Sequence, residues 1–226
     1  SEEIMRTHIN PSNRQRMKKS SRILQGAAAV AVLLAGQSTH AATLVWDGAD
    51  ATFNASLGGA GTWDANTTTN WSDVDNTASE VQWTDTTGVD TADFKGTAGV
   101  VTVAAGGVTA NGLAFDVTGY SLSGGTITLA GTTPTISVAA GTATINSSLG
   151  GAGFHKTGAG TVSLQGDNSL YSGPIVLDAG QISVGTATAL GTGQLTINGG
   201  ILAKAPAGDL SLTTTNSMLW NGNFTF

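Results

Sequence analysis

The stretch that decides the fold is Phe154-His-Lys-Thr-Gly-Ala-Gly-Thr-Val-Ser-Leu-Gln-Gly-Asp-Asn-Ser-Leu-Tyr-Ser-Gly-Pro-Ile-Val-Leu-Asp-Ala-Gly-Gln-Ile-Ser-Val-Gly185. Val162-Ser-Leu164, Ile175-Val-Leu177 and Ile182-Ser-Val184 each place aliphatic side chains at alternate positions, the period of a β-strand. Gly, Asn and Asp punctuate the gaps, where turns need them. Val162 to Ile182 is 20 residues, Ile175 to Leu195 is again 20, and Ile182 to Ile201 is 19. Short strands returning about every 20 residues are the mark of a solenoid, in which stacked coils bury a shared apolar column that one coil cannot bury alone.

Outward from that stretch the same pattern holds. Val101-Thr-Val103, Leu113-Ala-Phe115, Ile127-Thr-Leu129, Ile136-Ser-Val138 and Leu195-Thr-Ile197 read as strands of the same kind. Val162, Leu164, Ile175, Leu177, Ile182, Val184, Leu195 and Ile197 are expected to face inward, with Ser163, Ser183 and Thr196 outward. The expected fold class is all-β, a right-handed parallel β-helix with a Trp/Asp-rich N-terminal cap. A hairpin-built sandwich or barrel is the competing architecture, and Asn111-Gly112, Asn198-Gly199 and Asn221-Gly222 are the dipeptides that would suit its turns.

The chain divides into three regions. Residues 1–41 form an extended leader and signal peptide: basic Met17-Lys-Lys-Ser-Ser-Arg22, an apolar run from Ile23 to Gly36, then Thr39 and Ala41 at the −3 and −1 positions of a cleavage site. Ser1 is no initiator, and Met17 opens a leader of ordinary length. Residues 42–95 form the cap segment, with Trp46, Trp63, Trp71 and Trp83 among acids and turn formers. Residues 96–226 are Gly/Thr-rich coils, read as cut short at the C-terminal end, where Leu219 to Phe226 opens a coil that has no successor.

Charge separates along the same boundaries. Beyond residue 41 there are three lysines, no arginine and thirteen acids, a net charge of about −10. Such a chain cannot neutralise phosphates, which argues against nucleic acid and against anionic lipid. The 226 residues contain no cysteine, so disulfides, thiol nucleophiles and Cys-zinc sites are excluded.

Lys156, Gly158, Gly160, Val162, Leu164, Gly166, Asn168, Tyr171, Gly173, Ile175, Ala179, Gly180 and Ile182 follow a recognisable order. It runs Lys-x-Gly-x-Gly, strand, Gly-x-Asn, aromatic and Gly, strand, Ala-Gly, strand. This segment resembles the autotransporter-associated β-strand repeat. Ala189-Leu-Gly-Thr-Gly-Gln-Leu-Thr-Ile-Asn-Gly-Gly200 looks like its continuation, and Trp46-Asp-Gly48, Gly61-Thr-Trp-Asp64, Asn70-Trp71 and Asp93-Phe94 are similar to the N-terminal segment of such passengers. The resemblance implies a passenger-type β-helix at the surface or outer membrane of a Gram-negative cell, or outside it. It implies no reaction. The membrane β-barrel that ends a complete autotransporter, with strands alternating over about 10 residues, has no counterpart here, so anchoring would need a segment outside this chain.

The search for chemistry assigns no catalytic, cofactor-binding or metal-ligating residue. His155 is the only histidine beyond the leader, and no serine lies in a nucleophile motif. Asp73-x-Asp75 begins like a calcium loop, but Ala78 stands where the turn Gly is required. Lys95, Lys156 and Lys204 lie far apart. The expectation is an exported structural or adhesive passenger without catalytic activity, partnered by surface glycans or neighbouring passenger chains. The alternative is an extracellular carbohydrate-active enzyme or a sugar-binding module using Trp63, Trp71 or Trp83.

Overall fold

The computed structural model describes residues 41–49, 57–73, 80–205 and 209–226. Residues 1–40, which carry nearly all of the expected leader, and Asp50, Asp75 and Ala78 lie outside them. The chain is an all-β parallel solenoid of about six turns. Its first face runs through Thr43–Trp46, Thr91–Phe94, Gly112–Phe115, Thr135–Val138, Phe154–Thr157, Ile175–Leu177, Leu195–Ile197 and Met218–Trp220, stacked in that order. The second face runs through Gly61–Trp63, Val100–Val103, Ser121–Gly124, Thr142–Ile145, Thr161–Leu164, Gln181–Val184 and Ile201–Lys204. The third face is shorter: Val108–Ala110, Ile127–Leu129 and Leu149–Gly151.

The alternating aliphatic residues make the core. Val162, Leu164, Ile182, Leu177, Leu195 and Ile197 are fully buried, and Ile175 and Val184 nearly so. Each sits beside its counterpart one coil away: Val162 pairs with Ile182, and Ile182 with Leu202. That register corrects the interval of 19 residues read between Ile182 and Ile201. The true step is 20: Leu202 is 4% exposed, while Ile201 points out at 39%. A one-residue slip in a strand exchanges its two faces, so Ile201, although aliphatic, is an outer residue.

The two serines keep the outward side that alternation gives them, but they are not open to solvent. Ser163 and Ser183 alternate with the core residues, and each lies beside the other in the ladder, but they are 7% and 5% exposed. They lie on the outer side and are still covered; the Gln165 amide, which donates to Ser163 Oγ at 2.8 Å, is part of that cover.

Corners are where glycine matters most. Gly158 and Gly180 have φ of 74° and 70°, and a Cβ on either would drive into a carbonyl of the preceding coil, that of Val138 or Gly158. Both the positive φ and the close approach require glycine there.

The N-terminal end is closed by a change of strand direction. Trp71–Asp73 pairs antiparallel with Thr43–Trp46, and Glu80–Val81 pairs antiparallel with Trp71–Asp73. Inside this end the four indoles form one aromatic mass. Trp71 lies 5.0 Å from Trp46, 5.1 Å from Trp63 and 4.8 Å from Trp83, centroid to centroid, and Phe94 continues the stack to Phe115 at 4.9 Å. Such pairs add roughly 0.5–1.5 kcal/mol each beyond the area they bury. The C-terminal end differs. Met218, Leu219 and Trp220 of the last first-face strand are about half exposed or more, and Phe226 is 93% exposed. Beside them lies an apolar cleft of about 270 Å3, lined by Val184, Leu190, Leu202, Leu210, Met218 and Phe226 among others.

Candidate functional site

His155 occupies the outer side of Phe154–Thr157, and the next coil brings Asp178 to it. His155 Nδ1 lies 2.7 Å from Asp178 Oδ2. Asp178 Oδ1 accepts from the Asn198 side-chain amide at 2.6 Å, and Asn198 Oδ1 accepts from that of Asn221 at 3.0 Å. The corner after the first face therefore carries a polar column across successive coils, with an imidazole at one end. A carboxylate on Nδ1 fixes ring orientation and leaves Nε2 for another partner. His155 also lines a shallow cleft of about 170 Å3, with Thr132, Thr133, Pro134, Gly153 and Pro174. The cleft thus sets an oriented, part-exposed imidazole near the hydroxyls of Thr132 and Thr133.

Lys156, one residue on, points the other way. It is fully buried, in the column that holds Ile136 and Leu177. Its Nζ donates to the carbonyls of Thr157 at 2.6 Å, Gly158 at 3.0 Å and Ala179 at 3.2 Å. Three N–H groups thus meet three acceptors, two in its own coil and one in the next. Burial pulls its pKa down to about 8, against the pull of the carbonyls, which favour the ammonium.

Asn168 is likewise an interior fastener. Its Oδ1 accepts from Leu149 N at 2.7 Å, and its Nδ2 donates to Ala189 O at 2.8 Å, so one side chain spans three coils. It does so on the third side, beyond Leu149–Gly151, the last strand there. The amide serves as the rung that backbone pairing no longer supplies.

The acids of the cap segment are dispersed over separate tasks. Asp85 is buried and accepts from the backbone N–H groups of Thr87, Gly88, Val89 and Asp90 at 2.7–2.9 Å, holding a turn. Asp93 pairs with Lys95 at 2.6 Å, and Asp116 approaches the same lysine at 3.7 Å. Burial raises the Asp93 pKa, with the Lys95 contact opposing it, and that contact raises Lys95 in turn. Among the described residues no group of three or more His, Asp or Glu converges to hold a metal ion.

Trp63, Trp71 and Trp83 are 0–1% exposed, so none presents a ring face to a sugar. Trp220, at 64%, is the exposed indole. The approach of Asp178 to His155 escaped the sequence reading because it depends on coil register across 23 residues. The inward position of Lys156 did have a sequence mark, since Phe154 and Lys156 share a face by alternation. Comparison with known protein families, curated proteins and solved structures finds no match.

Proposed function

We propose that this chain is an exported passenger-type β-helix of the cell surface, a structural or adhesive element without catalysis. The observation that carries the reading is the use made of its interior polar groups. Lys156 and Asn168 are both buried, and each makes a hydrogen bond that joins one coil to the next. Those two residues belong to the motif that resembles the autotransporter-associated repeat. Interior polar groups that tie neighbouring coils together stiffen the stack, which suits a stalk or an adhesin. Outer faces rich in Thr, Ser and Gly with an acidic balance suit a hydrated extracellular surface.

The His155–Asp178 pair and its cleft favour a second reading, a glycan-contacting module or carbohydrate-active enzyme on the same rod. Glycan pull-down and polysaccharide turnover, run on the wild-type chain and on His155→Ala, separate the two. Turnover that depends on His155 contradicts the structural reading. Binding without turnover, or neither, agrees with it.

A further inference from the structure

The backbone N–H of Ala42 donates to Asp90 Oδ1 at 2.8 Å, and the Ala42 carbonyl accepts from Thr91 N at 2.8 Å. Ala42 is thus gripped on both sides by one short segment at the start of the first stacked coil. Ala42 is also the residue that follows the cleavage site read at Thr39 and Ala41. Resting on that reading of the leader, we infer that removal of the leader locks the N-terminal coil: the α-ammonium created at Ala42 forms an ion pair with the Asp90 carboxylate already in place.

Hydrolysis of the Ala41–Ala42 bond consumes one water, Ala41 departs with a carboxylate, and the Ala42 nitrogen takes up protons to become an ammonium. A donor of one neutral N–H becomes a cation with three, at a position where a part-buried acceptor waits. Charge-assisted bonds are roughly twice as strong as neutral ones.

Asp90 is suited to receive that charge. Burial raises its pKa, and repulsion from Asp85, an acid on the same turn, adds to the rise; only the Ala42 N–H works against them. Asp85 gives no relief, because its own oxygens are committed to the backbone of the turn. Among the described residues no ion pair involves the Asp90 carboxylate, and the new terminus supplies a cation to it. Residues 40–226 form a compact unit of their own, so the cleaved chain retains the whole arrangement.

The test uses the chain beginning at Ala42, with its α-amine either free or Nα-acetylated, as wild type and as Asp90→Asn. Acetylation restores the neutral amide of the uncleaved chain. In urea at pH 6.5, the free amine should lower the unfolding constant of wild type about five-fold relative to the acetylated chain, and Asp90→Asn should abolish that difference. The Ala42 amine should also titrate above its ordinary range of about 7.7–8.0 in wild type and return to it in Asp90→Asn. If Asp90→Asn fails to fold, the wild-type amine still decides, because an unshifted titration and no effect of acetylation overturn the pairing. An equal effect of acetylation in both backgrounds overturns it too. N-terminal sequencing of the exported protein tests the separate premise. A start other than Ala42 removes the leader reading and, with it, the lock in the cell, whatever the pairing does in the test tube.

Discussion

The Lys156 ammonium reaches the carbonyl oxygen of Ala179, one coil further on, at 3.2 Å. Lys156 stands where the neighbouring coils have Ile136 and Leu177, so a cation interrupts an apolar column. Lys156→Ala should cost about 2–5 kcal/mol, because it opens a cavity and strands three carbonyls. Lys156→Met fills the stem volume and should cost less. Urea unfolding of both variants checks the order.

The same lysine sets a pH dependence. Its folded pKa is lowered to about 8 from an ordinary value of 10.5. Between those limits the unfolded chain holds more protons, so this group makes stability rise with pH. The stability difference between wild type and Lys156→Met should therefore shift in favour of wild type from pH 7.5 to pH 10. Comparing the two proteins cancels the other titrating groups, Lys95 included. A difference that does not move between the two pH values contradicts the assignment.

Register predicts a contrast between adjacent residues. Ile182→Ala and Leu202→Ala remove buried side chains and should each cost about 2–5 kcal/mol. Ile201→Ala should stay within about 1 kcal/mol, since Ile201 lies on the outer face, and Ser183→Ala likewise. Equal losses at Ile201 and Leu202 would mean that the strand faces are misassigned.

Much of this fold is legible in the sequence. Alternation in Val162-Ser-Leu164 and its repeats located the inner faces because each strand sits in a coil of nearly constant length. The cap was legible from four tryptophans crowded into one segment beside a solenoid that must close its end. What was not legible depends on register between coils. Ala42 and Asp90 are 48 residues apart, with the cap excursion between them. The 19-residue interval from Ile182 to Ile201 joins aliphatic residues on opposite faces, because Leu202, one residue on, is the one that stacks on Ile182. Lys156 opens the Lys-x-Gly-x-Gly motif, which does not say which face it takes; its alternation with Phe154, which is buried, does.

Asn168→Asp should destabilise by more than about 2 kcal/mol. It keeps the acceptor for Leu149 N but sets a carboxylate oxygen against Ala189 O in a buried site. Hydrogen exchange should show the loss spreading through 149–151 and 186–190. Loss confined to the turn around residue 168 would argue against its role as a rung.

The tryptophans predict an optical signature. Four are buried and Trp220 is 64% exposed. A soluble quencher should suppress the Trp220 emission alone, and Trp220→Phe should remove the quenchable component. Trp71→Ala, at the centre of the aromatic mass, should cost about 3–5 kcal/mol.

The most direct measurement addresses where the chain resides. The sequence has no cysteine, and Leu170 is 97% exposed on a turn, so Leu170→Cys provides one reactive thiol at little structural cost. The full chain carrying it is produced in a Gram-negative host and treated with a membrane-impermeant maleimide, first on intact cells, then after opening the outer membrane, then after lysis. An exported passenger is labelled before the inner membrane is broken, on a chain whose leader has been removed. Labelling only after lysis, on a chain that retains residues 1–41, contradicts the account.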